Sequence, residues 1–275
     1  MKKSGRKMAG FLVGILLLFS FPLPVRGEGE PQITAEAAVL MDADTGRILY
    51  ARNPHRPLHP ASTTKIMTVL LALELAHPEE VVTVSPEAGG DYEGQAIGLR
   101  AGDRLLLWDL LQAAMVYSAN DSTVAIGEHI AGSEAEFARL MTAKALSLGA
   151  TNTNFVNSNG YTDPTHLTTA ADLALITRYA VNSNSLFCRL AATKEAKIRW
   201  LNRNKTVTLA NTNRLLHRYS WIKGVKTGST PMAGNCLVAY ACRHGRRLIT
   251  VVLNSGDRYA DTMALLEYGW KESGR

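Results

Sequence analysis

The chain has 275 residues, 46% of them apolar, with 30 Lys+Arg against 24 Asp+Glu and a net charge of +6. Five of the basic residues (Lys2, Lys3, Arg6, Lys7, Arg26) and no acidic ones lie in the first 27, leaving 25 against 24, or about +1, for the rest. That near-neutral remainder, with no basic stripe, excludes nucleic acid as the expected partner, and three cysteines are too few for a disulfide framework.

In chain order, the first element is a leader. Its basic start is followed by an apolar run from Met8 to Phe21 and by Val25-Arg26-Gly27, with small residues at −3 and −1. Fourteen apolar residues fall short of the roughly 20 needed to span a bilayer, so residues 1–27 read as a cleaved export signal. The 275 minus 27, or 248, residues that follow are enough for one large core or two interlocked layers.

Glu36–Met41 and Arg47–Ala51 flank Asp42-Ala-Asp-Thr-Gly46, the pattern of a β-hairpin. Pro54, Pro57 and Pro60 lead into "ASTTKIMTVLLALELA", residues 61–76, apolar nearly all round and so expected to be a buried helix. Leu105–Val116 is a second apolar helix, interrupted at Ser118-Ala-Asn120 before helical pattern resumes through Ile130. Phe137, Leu140, Met141, Ala145 and Leu148 share one helical face, closed by Gly149. Asn152–His166 reads as a loop, and Thr169 with Asp172 forms a capping box opening a helix to about Val181. Thr206–Ala210 is strand-like. Lys223–Thr230, Asn235–Arg243 and Arg247–Asn254 are three further strands, the last two joined through His244-Gly245. Asp257–Trp270 is a final amphipathic helix with Met263, Leu266 and Trp270 inward. Strands at both ends with helices between them predict an α+β fold whose terminal strands complete one antiparallel sheet.

Cys236 and Cys242, on one strand, stand ~20 Å apart and cannot bridge, so the three thiols, Cys188 included, are expected free and buried. His55 and His59 have ligand-like spacing, but no third ligand accompanies them, and no metal or other cofactor is expected.

Ser62 and Lys65, at i and i+3, share one side of the opening helix. Burial lowers the pKa of an ammonium, and a neutral amine can take a serine proton. The alternative is a helix N-cap at Ser62 with Lys65 reaching to water. The spacing alone cannot decide, since Ser4/Lys7 and Ser220/Lys223 repeat it. Two further motifs accompany Ser62: the single S-x-N of the chain, at Ser118 and Asn120, and the single K-T-G, at Lys226, Thr227 and Gly228.

Ser62-Thr-Thr-Lys65, Ser118-Ala-Asn120 and Lys226-Thr-Gly228 resemble the three active-site motifs of penicillin-binding proteins and serine β-lactamases. Ala38–Gly46, Pro60–Lys65, Asn211-Thr-Asn213 and Gly224–Gly228 look like the low-molecular-weight D-alanyl-D-alanine carboxypeptidases, the S11 peptidases. The resemblance spans about residues 33–270. It implies a β-lactamase/transpeptidase-like fold, with a five-stranded antiparallel sheet drawn from both chain ends, packing helices and a mostly helical subdomain. Residues 28–275 would be a single catalytic domain.

The resemblance also implies roles. Ser62 would attack the penultimate D-alanine carbonyl of a peptidoglycan stem pentapeptide, with Lys65 as general base. Ser118 would relay a proton to the departing D-alanine, and Asn120 would hold the peptide amide. Lys226 and Thr227 would anchor the terminal carboxylate, and Gly228 would keep the strand edge bare for substrate. The backbone N–H groups of Ser62 and Ser229 would form the oxyanion hole, each such donor being worth ~2.7–4 kcal/mol. Arg258 matches a family arginine near the carboxylate pocket, or is an ordinary surface residue at a helix start. β-Lactam antibiotics would be acylating inhibitors.

Ser229 stands where the family often has His or Tyr, and Gly160-Tyr161 replaces a more usual Gly-Leu. The family's β-rich C-terminal domain and anchoring helix do not follow Arg275, so the exported protein is expected to be soluble outside the membrane. A class A β-lactamase would need a loop glutamate in an E-x-x-L-N setting. Between Asn152 and Thr169 the chain offers Asp163 and no glutamate. A DD-endopeptidase shares every motif, and a non-catalytic wall-binding or penicillin-sensing module remains the reading from another class.

Overall fold

The computed structural model describes residues 29–271, so the expected export signal lies outside the described residues. Strand β1 (Ala37–Asp42) turns back into β2 (Ile48–Arg52). The turn is held by Asp42, whose Oδ1 accepts the N–H groups of Asp44 and Thr45 and the Thr45 hydroxyl. A 3-10 turn, Ala61–Thr64, then feeds helix α1 (Lys65–Leu75). Ser62 therefore sits on the 3-10 turn rather than on the helix that carries Lys65.

A ribbon of β3 (Val81–Thr83) and β4 (Arg104–Leu106) leads to α2 (Leu107–Gln112). This helix widens into a π turn, Ala113–Tyr117, and breaks at Ser118 before α3 (Asn120–Ala131). Then come α4 (Glu134–Ser147), α5 (Ala170–Ser183) and α6 (Ser185–Ala192). The ribbon β5 (Glu195–Arg199) and β6 (Thr206–Ala210) and the short α7 (Arg214–Arg218) precede β7 (Ile222–Thr230). The chain then runs through β8 (Gly234–Arg243) and β9 (Arg246–Ser255) into α8 (Arg258–Lys271).

The main sheet has the order β2-β1-β9-β8-β7, antiparallel throughout, so the chain ends meet at the β1–β9 pair. Its middle strands are buried on both faces. Alternate residues enter two cores: Val39, Val251 and Val238 face one side, and Leu40, Val252 and Leu237 the other. The larger core holds α1 to α6, and the smaller holds α7 and α8. The expected five-stranded α+β sheet is what forms.

The structure adds several elements and alters one expected face. Helix α6, which the sequence reading did not mark, begins at Ser185, because the Asn184 side chain accepts the Phe187 N–H and caps a new helix. Strand β5 and helix α7 also fall in a stretch without a strong periodic signal. In α8 the buried residues are Asp261, Thr262, Leu265, Leu266 and Gly269, while Met263 and Trp270 are half-buried, so the inward face is rotated from the expected one. All three cysteines are free as expected, but Cys188 and Cys242 are half-buried and only Cys236 is buried.

Candidate active site

The turn carrying Ser62 is squeezed between two other segments. Ala61 takes φ +46°, a left-handed conformation that costs a non-glycine residue on the order of 1 kcal/mol. A Cβ at Gly160 would lie 2.0 Å from the Ala61 carbonyl oxygen, and one at Gly228 would lie 2.9 Å from the Ser62 nitrogen. Only glycine lets β7 and the Asn-rich loop approach the turn this closely. Gly228 thus has a packing reason that the bare-edge expectation did not contain.

Lys65 opens α1 from beneath this turn and is fully buried. Its Nζ donates to the Asn159 carbonyl at 2.6 Å and to Asn120 Oδ1 at 2.8 Å, and lies 3.1 Å from Ser62 Oγ. The Asn120 amide is oriented from its other end, where Nδ2 donates to the Glu93 carbonyl at 2.8 Å. Burial pushes the Lys65 pKa well below the lysine range, and neighbouring Lys226 pushes the same way, against Glu134 and Asp121. No part of that amine reaches solvent.

Ser118 occupies the break between the π turn and α3 at φ +73°. Its Oγ is buried and has no hydrogen-bond partner. Lys226, on β7, is also buried, and its Nζ donates to the Thr227 carbonyl at 3.1 Å. Burial, reinforced by Arg258, lowers its pKa to about 7. Thr227 Oγ1 is 2.7 Å from Thr212 Oγ1. Arg258 Nη1 donates to the Gly228 carbonyl at 2.7 Å and reaches Ser229 Oγ at 3.3 Å and the Cys236 carbonyl at 3.4 Å. These contacts tie Arg258 to β7 and its neighbour β8, a brace that neither sequence reading of this residue contained.

Ser62, Asn120 and Ser229 line a cleft of ≈710 Å³ walled by Tyr92, Tyr161 and Met232. Lys65, Lys226, Thr227 and Arg258 stand behind or beside its wall. Tyr161, where the family more usually has Leu, spans the cleft rim and donates its hydroxyl to the Glu93 carbonyl. Asp163, the loop carboxylate weighed for a β-lactamase, instead accepts the N–H and hydroxyl of Thr165 in its own turn. Among the described residues no cluster of three or more His, Cys, Asp or Glu could hold a metal ion.

Three contributors escaped the sequence reading. The Asn159 acceptor is a backbone carbonyl and has no side-chain signature. Thr212 could have been found, since Asn211-Thr-Asn213 is a recognisable motif: the Asn211 and Asn213 side chains fold the turn, and the Thr212 N–H donates to Val116. His166 falls at the end of the stretch that reads as loop. Its Nδ1 accepts the Val156 N–H at 3.1 Å, so the proton sits on Nε2, which donates to Thr64 Oγ1 at 2.9 Å. Burial lowers its pKa to about 4.

This geometry has close relatives. D-alanyl-D-alanine carboxypeptidase DacF of Bacillus subtilis is 34% identical over 279 residues, covering 97% of this chain and 71% of the relative. Penicillin binding protein 5 from Haemophilus influenzae superposes with a TM-score of 0.81 at 33% identity, over 88% of this chain and 72% of that one. Penicillin-Binding Protein D2 from Listeria monocytogenes, in its ampicillin-bound form, superposes with a TM-score of 0.76 at 26% identity, over 86% and 98%. The Peptidase S11 family model, described as D-alanyl-D-alanine carboxypeptidase, matches residues 25–257. With the three motifs gathered around one cleft and the match running over most of its length, the chain belongs to the Peptidase S11 family of serine D-alanyl-D-alanine carboxypeptidases.

Proposed function

We propose that Ser62 is the nucleophile and Lys65 its general base, and that the substrate is the D-Ala-D-Ala end of a peptidoglycan stem pentapeptide. The observation that carries this is the set of oxygens around the buried Lys65 amine. A neutral amine has two N–H bonds and one lone pair. The Asn159 carbonyl and Asn120 Oδ1 take the two N–H bonds, which leaves the lone pair for the Ser62 hydroxyl 3.1 Å away.

In the reaction, the Ser62 proton passes to Lys65 as Oγ bonds to the carbonyl carbon of the penultimate D-alanine. The oxyanion faces the N–H groups of Ser62 and Ser229. Ser118, with its unpaired hydroxyl, passes a proton from Lys65 to the nitrogen of the departing D-alanine as the C–N bond breaks. Water then attacks the Ser62 ester and gives its proton to Lys65; as the acyl C–O bond breaks, Lys65 returns that proton to Ser62 Oγ, and the shortened stem leaves with its new carboxylate. Lys226 and Thr227 bind the terminal carboxylate, Asn120 holds the peptide amide, and Arg258 braces Gly228 and Ser229. A carboxylate arriving beside Lys226 raises that lysine's pKa again and keeps it charged.

β-Lactams would acylate the same Ser62, a reading supported by the relative captured in an ampicillin-bound form. Residues 28–275 would act as one catalytic domain on the wall side of the membrane, delivered there by residues 1–27. No helix among the described residues is long and apolar enough to cross a membrane. The test is incubation with a D-Ala-D-Ala pentapeptide and with labelled penicillin. Wild type should release D-alanine and hold a long-lived label, and Ser62→Ala should do neither while melting as wild type does. Rapid penicillin turnover would mean a β-lactamase, and a wild type inert to both reagents would reject the enzyme reading.

A further inference from the structure

Behind Lys65 lies a carboxylate with no part in the proposed reaction. Glu134, in the first turn of α4, accepts two hydrogen bonds on one oxygen: from the Ser158 N–H at 2.9 Å and from the Ser158 hydroxyl at 2.6 Å. The Ser158 carbonyl in turn accepts the Thr68 hydroxyl at 2.6 Å, which ties the same residue to α1. The next residue is Asn159, whose carbonyl meets Lys65 Nζ. Ser158 and Asn159 are both buried, so their peptide unit has no water to exchange with.

We propose that Glu134 is a positioning residue for the chemistry at Ser62: through Ser158 it fixes the Asn159 carbonyl on the Lys65 amine, and it places a negative charge behind that amine. This rests on the roles of Ser62 and Lys65 given above. The charged and titratable groups around Lys65 are Lys226 from β7, Asp121 from α3, Glu134 from α4 and His166 from the Asn-rich loop. Glu134 itself also faces Tyr92 and Tyr161. Lys226 and burial drive the Lys65 proton off, whereas Glu134 and Asp121 hold it on. A base must lose its proton to act yet stay basic enough to pull one from serine. Glu134 therefore sets where on the pH scale Lys65 makes that compromise, as well as where its amine points.

Glu134→Gln separates the two effects, because its amide oxygen can still accept both Ser158 bonds while the charge is gone. The measurement is the pH profile of acylation by labelled penicillin and of D-alanine release. Glu134→Gln should move the acid limb of both profiles to lower pH by about half a unit. Glu134→Ala should show the same shift and also lose roughly tenfold in plateau rate, as the carbonyl loosens. Ser158→Ala, which keeps the charge, should leave the acid limb in place. A merely structural Glu134 would leave the Glu134→Gln limb where wild type has it, and that result overturns the inference while the function reading stands. A wild type that forms no acyl-enzyme and releases no D-alanine overturns both.

Discussion

Two lysines, Lys65 and Lys226, lie buried within one site, and burial is the main cause of a lowered pKa in each. Their surroundings differ. Lys65 is enclosed by three oxygens from three segments, at 2.6 to 3.1 Å. Lys226 donates to one carbonyl, that of its own neighbour Thr227. A nitrogen whose N–H groups are all occupied is held in place and has only a lone pair to offer. A nitrogen with one weak partner keeps donors in reserve for an anion that has yet to arrive. The same residue type, equally dry, thus has surroundings that suit the base proposed in one region and the anchor proposed in the other.

The largest effect should come from Lys65→Met. Acylation by penicillin and D-alanine release should both fall about a thousandfold, with substrate affinity little changed, since only proton transfer is lost. Stopped-flow acylation rates check this, and a small loss would remove the base role. Lys226→Met should cost about a hundredfold in kcat/KM, carried by KM, because a buried carboxylate is left without its partner. The pH profile sharpens the contrast. With a pKa of about 7, Lys226 loses its proton as pH rises through neutrality, so kcat/KM for a carboxylate-ended peptide should fall on the alkaline side. Lys226→Arg keeps the charge and should move that alkaline limb upward. If it leaves the limb unmoved, the two lysines do not divide the work as described.

Each region also has a support that can be tested alone. His166 backs the Lys65 side, staying neutral in the fold with a pKa of about 4 against an ordinary value of 6.5. Between those values the unfolded chain binds the proton and the native chain does not. Its contribution is complete above pH 6.5 and is lost as pH falls to 4, by up to ~3 kcal/mol. Melting curves of His166→Asn, whose amide oxygen can still accept the Val156 N–H, should therefore flatten over that range relative to wild type. Thr212 backs the Lys226 side. Thr212→Val removes the bond to Thr227 and should raise KM a few-fold, about 1 kcal/mol, leaving the penicillin plateau rate nearly intact.

Much of this arrangement was legible beforehand. The all-round apolar character of Ile66–Ala72 announced a buried helix, while the choice between a buried Lys65 and one reaching to water stayed open until the fold closed over it. The hairpins at both chain ends announced the sheet that joins them, because alternation and turn residues are local signals. What stayed hidden had no local signal. A backbone carbonyl such as that of Asn159 is carried by every residue, so nothing in the letters marks the one that meets Lys65. The α6 cap at Asn184 looks like loop until Phe187 is seen to fold under it. Ser118 carries its motif openly, yet its left-handed backbone and unpaired hydroxyl belong to the meeting of two helices, which no short stretch encodes.

The two glycines that flank the Ser62 turn belong to segments 68 residues apart, and each meets backbone rather than flexible side-chain ends. Backbone cannot swing aside as a side chain can. A single extra carbon at either position has to displace the Ser62 turn. The two sites are therefore closed to every other amino acid by geometry before chemistry is consulted. In a library that varied each position in turn, Gly160 and Gly228 would read out as intolerant as Ser62 itself, though neither takes part in a bond-making step. Intolerant positions in such a map would trace the shape of this crevice as well as its reactive groups.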